Sequence, residues 1–334
     1  MKNKDSWRIA FGIWLCLGCS LVESMAEEPS VVPAGSRLEL LFDGADAFTE
    51  GPAVSPDGTL YFSDITWSHR GLNMAGHIWC YDFRTKEARI FRSPSGQANG
   101  MAFDAHGNLV IAEGADFGGR RIVRTDLNTG RSVILAATFN GLPFNAPNDL
   151  AIDKQGRIYF SDPSFGRQMA FEPIYQPVQG VYRIDPDGKI SLIIVNAVKP
   201  NGVMVSPDQK TLYVASVDNG AVGGGVGGWE KRTVPHAILA YDLDENGEVE
   251  YRGEFAACQA DGMAVDIKGN VYAALHGDGK VAIFSPSGEE LATIAVPDKP
   301  TNVTFGRGPN SRMLYITSGK CVYQIEVSYP GFAL

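Results

Sequence analysis

Cysteine is scarce in this chain of 334 residues, with 5 in all. Beyond the first 26 residues only Cys80, Cys258 and Cys321 remain, and none stands in a Cys-x-x-Cys pair. That spacing argues against a zinc site of this type and against a disulfide framework. Positive charge is short as well: 29 Lys and Arg against 38 Asp and Glu leave a formal charge of −9. With no basic run, the chain is a poor candidate for nucleic acid or for anionic membrane surfaces. A G-x-S-x-G elbow is missing, so nothing points to a covalent serine nucleophile. The Gly-rich run Gly223–Gly228 lacks the Lys-Ser/Thr that follows in a phosphate loop and reads as a flexible connection.

Long apolar runs are absent too, except at the start. Lys2, Lys4 and Arg8 precede the mostly apolar stretch Ile9 to Val22, and Ser24-Met25-Ala26 fits a small-x-small cleavage site. The run is short for a membrane span and is broken by Gly12 and Gly18. Residues 1–26 therefore read as a signal peptide, which predicts an exported, periplasmic or secreted protein with no membrane insertion after cleavage. Oligomeric state is not legible.

What is present is a repeat. Asn148 leads into Asp149-Leu150-Ala151-Ile152-Asp153-Lys154-Gln155-Gly156-Arg157-Ile158-Tyr159-Phe160-Ser161-Asp162: an apolar strand, a tight turn and a second strand rich in β-branched and aromatic residues. Glu50, Asn99, Asn201 and Asp261 lead into the same pattern, and Asn302 into a weaker copy. Eight positions after each leading residue comes the turn, at Gly58, Gly107, Gly156, Gln209, Gly269 and Asn310. Gly and Asn are the residues that most readily take positive φ there. Leading residues are spaced by 49, 49, 53, 60 and 41, and a period near 50 containing four short strands is the signature of a β-propeller. The prediction is a single all-β domain over residues 27–334, a six-bladed β-propeller. The sixth repeat has no fourth strand of its own, so the unassigned strand Leu38–Phe42 is expected to complete the last blade and close the ring.

If every leading residue opens the innermost strand of its blade, Glu50, Asn99, Asn148, Asn201, Asp261 and Asn302 gather at one mouth of the central channel. Each brings a side-chain oxygen. Turn capping by Asx residues explains single positions such as Asn99-Gly100, but not Glu50 and not the shared offset. A ring of carboxylates and amide carbonyls suits one hard divalent cation, Ca²⁺ first, with Mg²⁺, Mn²⁺ or Zn²⁺ as alternatives. Asn148, Asn99 and Asn302 are also expected to meet substrate. Fourteen positions after three of the leading residues stand Asp64, Glu113 and Asp162, on the strand that runs back to the same mouth. With Asp218 and His276 they form a second tier of substrate-orienting candidates, in which Glu113 and Asp162 are expected to contact substrate.

At these residues the chain resembles the gluconolactonase, regucalcin (senescence marker protein) and luciferin-regenerating-enzyme-like family of six-bladed propellers. The motifs Glu50-Gly51-Pro52, Pro147-Asn148-Asp149, Pro200-Asn201-Gly202 and Ala260-Asp261-Gly262 carry the resemblance, which spans about Leu38 to Glu326. It implies that Glu50, Asn201 and Asp261 are metal ligands, with Asn148 ligating or touching substrate, and that Asp261 is the general base. Regucalcin has an Arg two residues before the Asn matched by Asn148; here that place is Ala146. Asn145–Asp149 and Phe160–Pro163 look closer to secreted bacterial gluconolactonases. The expected activity is hydrolysis of a sugar lactone to the aldonic acid, with a Lewis-acid metal and an activated water. Two alternatives stay open: an exported propeller that binds a carbohydrate or protein partner without turnover, and a related metal-dependent ester or organophosphate hydrolase. The latter would favour a His base, for which only His276, His69 or His77 could serve.

Overall fold

The computed structural model describes residues 30–65, 76–114, 118–164, 175–217 and 236–333. Six four-stranded antiparallel sheets repeat one order of strands. Blade one runs through Thr49–Val54, Leu60–Asp64, His77–Asp82 and Glu87–Arg92. Blade two follows through Ala98–Phe103, Leu109–Glu113, Arg121–Thr125 and Ser132–Ala136. Blade three contains Leu150–Ile152, Ile158–Asp162, Gly180–Ile184 and Ile190–Ile194. Blade four contains Pro200–Val205, Thr211–Ser216, Ala237–Leu243 and Val249–Ala256. Met263–Val265, Val271–Leu275, Lys280–Phe284 and Glu290–Ala295 make blade five. Blade six takes three strands from Pro300–Phe305, Met313–Ser318 and Cys321–Glu326. Its fourth is Glu39–Phe42, which pairs Glu39 with Gln324 and Leu40 with Tyr323. The ring closes as the sequence predicts, joining the two ends of the fold in one sheet.

Alternation along the second strand explains how blades stick together. Successive side chains of a strand point to opposite faces, so in Leu60-Tyr61-Phe62 the outer two pack on blade six and Tyr61 packs on blade two. The same rule repeats round the ring, and the buried apolar side chains fall into six clusters, one in each gap between neighbouring blades. Among the described residues, no blade has a core of its own.

The turns between first and second strands share one hydrogen-bond pattern. The amides of Gly58, Gly107, Gly156, Gln209 and Gly269 each donate to the carbonyl three residues back, at Ser55, Asp104, Asp153, Ser206 and Asp266. All five donors have positive φ, as the spacing predicts. Asn310 does not: the sixth turn coils into a 3₁₀ segment at Gly308–Asn310, and the left-handed residue is Gly308. A two-stranded hairpin at Thr138–Phe139 and Leu142–Pro143 lies outside the predicted pattern. The predicted signal, residues 1–26, and most of the long excursions between second and third strands lie outside the described residues. Among the described residues, no helix is long and apolar enough to cross a membrane.

Candidate functional site

The innermost strands meet at their starts, and glycine is what lets them. Gly51, Gly100, Gly202 and Gly262 each follow a leading residue. A Cβ on Gly51 would run into the Asn99 carbonyl oxygen, and one on Gly262 would run into the Asn302 side chain. The close approach is sealed between blades by Gly100 donating to the Asn148 carbonyl (2.7 Å), Gly202 to Asp261 (3.1 Å) and Gly262 to Thr301 (2.8 Å). Six leading residues are thereby drawn round one axis.

Glu50, Asn99, Asn201 and Asn302 lie in the inner strands, as predicted. Asn148 and Asp261 instead precede theirs, which run from Leu150 and Met263, although their amides already donate to Ser161 O (2.9 Å) and Ala274 O (2.8 Å) of the second strands. Ser161 bonds two successive residues, its carbonyl accepting from Asn148 N and its amide donating to Asp149 O (3.0 Å), and this irregular pairing admits a residue that the alternation rule hides. Asp149, next to Asn148, is buried; its carboxylate accepts from the Leu150 amide (2.9 Å) and the Val203 amide (3.4 Å). Its charge reaches both Glu50 and Asp261. Three carboxylates from blades one, three and five therefore share the channel mouth.

Burial dominates their electrostatics and favours the uncharged carboxyls. Burial lifts the Glu50 carboxyl to about 8; the Gly51 amide opposes the rise and the Asp149 charge adds to it. Burial likewise lifts Asp149 to about 7 against the Leu150 and Val203 amides. Asp261 is raised by burial and then by the charges of Glu50 and Asp149, while an Asn201 side-chain hydrogen bond lowers it. Glu50 Oε2 accepts from Gly51 N (2.8 Å) and Asn302 Nδ2 (3.3 Å), so Asn302 is in part a brace for Glu50. Asn99 Oδ1 is buried with no hydrogen-bond partner. Among the described residues no three His, Cys, Asp or Glu side chains form a ready metal cluster by themselves, so amide oxygens have to complete any donor set.

The second tier is placed differently. Asp64 is fully buried and accepts from the amides of Asp46 (2.6 Å), Ala47 (3.1 Å) and Phe48 (3.1 Å). Asp162 does the same for Asn145 (2.9 Å) and Ala146 (2.8 Å). Glu113 forms ion pairs with Arg92 and with Arg121 (2.7 Å). Asp64 and Asp162 thus hold the chain segments that lead into blades one and three, and Glu113 links Arg92 to Arg121. His276 of this tier stands beside the ring, with Nδ1 3.7 Å from Asp261 Oδ2; burial, then the Lys299 charge, holds its pKa below the ordinary value. His77 pairs with Asp46 at 2.9 Å. Asp218 and His69 lie outside the described residues.

A six-bladed propeller with an oxygen-rich ring of side chains at one mouth defines the class. Within it, the chain belongs to the SMP-30/Gluconolactonase/LRE-like family, whose sequence model matches residues 48–320. It is 32% identical over 251 residues to a gluconolactonase of Zymomonas mobilis, covering 71% of this chain and 64% of that protein. A pentonolactonase of Haloferax volcanii is 30% identical over 280 residues, 80% of each chain. Among solved structures, a gluconolactonase from Xanthomonas campestris superposes with a TM-score of 0.72 at 27% identity, covering 89% of this chain and 91% of that one.

Proposed function

We propose that this protein is a divalent-cation-dependent lactonase that opens a sugar lactone to its aldonic acid. The observation that carries the reading is the meeting of Glu50, Asp149 and Asp261 from three blades at one buried mouth, all held above the ordinary carboxylate range. Unpaired buried carboxylates are costly, so the arrangement makes sense with a cation. The donors are all oxygen, which suits a hard ion, Ca²⁺ ahead of Mg²⁺, Mn²⁺ or Zn²⁺, and the unpartnered Asn99 oxygen fits the same picture. Glu50, Asn201 and Asp261 would hold the ion, with Asn148 beside them. When bound, it would supply Lewis-acid polarisation of a carbonyl.

The chain's own residues do the rest. Asp261, whose side chain is 15% exposed, is the carboxylate that can accept the proton of an attacking water. The water oxygen bonds to the lactone carbonyl carbon, the ring C–O bond breaks, and the proton passes to the released alkoxide. Asn99 and Asn148 orient the substrate by their amides. Toward the other ends of the inner strands lies a pocket lined by Met101, Phe103, Ile152, Met204, Arg307 and Phe332.

Relatives named for gluconolactone, 6-deoxy-6-sulfogluconolactone and pentonolactone support a sugar lactone as the substrate class. The test is D-glucono-1,5-lactone hydrolysis before and after EDTA. Chelation abolishes activity and added Ca²⁺ restores it; full activity of a stripped sample contradicts the mechanism. Export through cleavage after Ala26 belongs to the same proposal, and N-terminal sequencing of the protein recovered outside the cytoplasm checks it.

A further inference from the structure

The lip of the site carries an aromatic side chain whose placement the chemistry above leaves unused. Phe48 stands two residues before Glu50. Between them Thr49 is fully buried and turned toward blade six, its hydroxyl donating to Gly319 O (3.1 Å) and Cys321 O (2.8 Å). Phe48 precedes the strand Thr49–Val54, and it is the contact of its ring with a side chain beside Asp261 that places it at the mouth. The Phe48 backbone is held on both sides: its amide donates to Asp64 Oδ1 at 3.1 Å and its carbonyl accepts from Ile65 N at 2.8 Å. Its ring meets the His276 ring edge-on, with centroids 6.0 Å apart and planes at 60°. His276 in turn stands 3.7 Å from Asp261.

Phe48 is only half-buried although it sits beside a ring of polar oxygens. A large apolar ring fixed at the lip of a polar pocket is suited to a ligand that has both characters. A sugar lactone has them: one end presents the carbonyl and hydroxyl oxygens, while the ring face presents a patch of C–H bonds. The catalytic ring serves the first and leaves the second without a partner.

We propose that Phe48, braced by His276 and by the Asp64 clamp, is a specificity-determining residue that packs against the C–H face of the lactone ring. This rests on the sugar-lactone reading above. The contact acts on binding and on orientation and takes no part in proton transfer. Asp64 works at one remove as a positioning residue, since its carboxylate holds the amides of residues 46, 47 and 48 in place.

Kinetics on D-glucono-1,5-lactone with Phe48→Ala and Phe48→Trp test it, on Ca²⁺-loaded full-length protein. Removing the ring is expected to raise KM by about tenfold, with kcat changed less than KM, because an aromatic contact of this kind is worth about 1.4 kcal/mol. Phe48→Trp should keep KM near that of the wild type, and its added fluorescence should change when D-gluconate, the unreactive product, is titrated in. An unaltered thermal midpoint and Ca²⁺ affinity in both variants establish that they are folded. Unchanged KM in Phe48→Ala, or a silent tryptophan at position 48 in a protein that turns lactone over, overturns the inference. A wild type that hydrolyses no lactone while the Phe48→Trp signal still responds to gluconate would instead overturn the lactonase reading and support the aromatic lip.

Discussion

Glu50 shows how one residue answers to two demands. Burial favours its neutral form, whereas the proposed cation would need the charge. Its raised pKa fixes the sign of the pH dependence. Glu50, Asp149 and Asp261 keep protons in the folded state that they lose when unfolded, so the metal-free protein sheds stability as pH rises from about 4.5 through about 8. Thermal melts of chelator-treated protein should show a falling midpoint over that window. A divalent cation should raise the midpoint more at the alkaline end, since it replaces those protons. Glu50→Gln should raise the metal-free midpoint at pH 8 by about 2–4 °C and lose most of the gain from cation. A variant that lowers the metal-free midpoint would mean that Glu50 is structural. The leading residues were legible because one offset recurred in each repeat. Asp149 was not, because strand alternation turns the neighbour of an inward residue outward, and only the irregular pairing of Asn148 and Asp149 with Ser161 brings it in. Asp64, Glu113 and Asp162 mark the limit of the same rule. Their offset is regular, but their partners are loop amides and arginines that follow no repeat.

At the scale of the strand and its turns, glycine has two distinct jobs that substitution separates. Gly58 has positive φ in an open turn, and a Cβ placed there would find nothing within 4 Å. Gly58→Ala should therefore cost about 1 kcal/mol from backbone strain alone. Gly51 has positive φ as well, and its Cβ would strike the Asn99 carbonyl of the next blade. Gly51→Ala should cost about 3 kcal/mol or more and weaken cation binding, since Glu50 and Asn99 move with it. Equal stability losses in the two variants, read by urea unfolding, would remove the claim that inner-strand glycines set the ring. The turns themselves could be read from the sequence down to single residues. Asn310 is the exception, because the sixth loop is longer and stores its turn in Gly308–Asn310.

For the whole molecule, closure is the governing fact. Every apolar cluster spans two blades, so stability belongs to the ring rather than to any blade. The strand Glu39–Phe42 is what joins the first part of the chain to the last. Deleting it should leave Cys321–Glu326 as an open edge and yield protein that associates in light scattering; a monomer of wild-type stability would contradict this. The closed ring matters for function because it brings donors from opposite ends of the chain, Glu50 and Asp261 among them, to one axis. The most direct measurement is calorimetric titration of Ca²⁺ into stripped protein at pH 7, for wild type, Glu50→Gln and Asp261→Asn. The account predicts one ion per chain, protons released on binding, and affinity lowered at least tenfold in each variant. No saturable binding, or wild-type affinity in both variants, would contradict it.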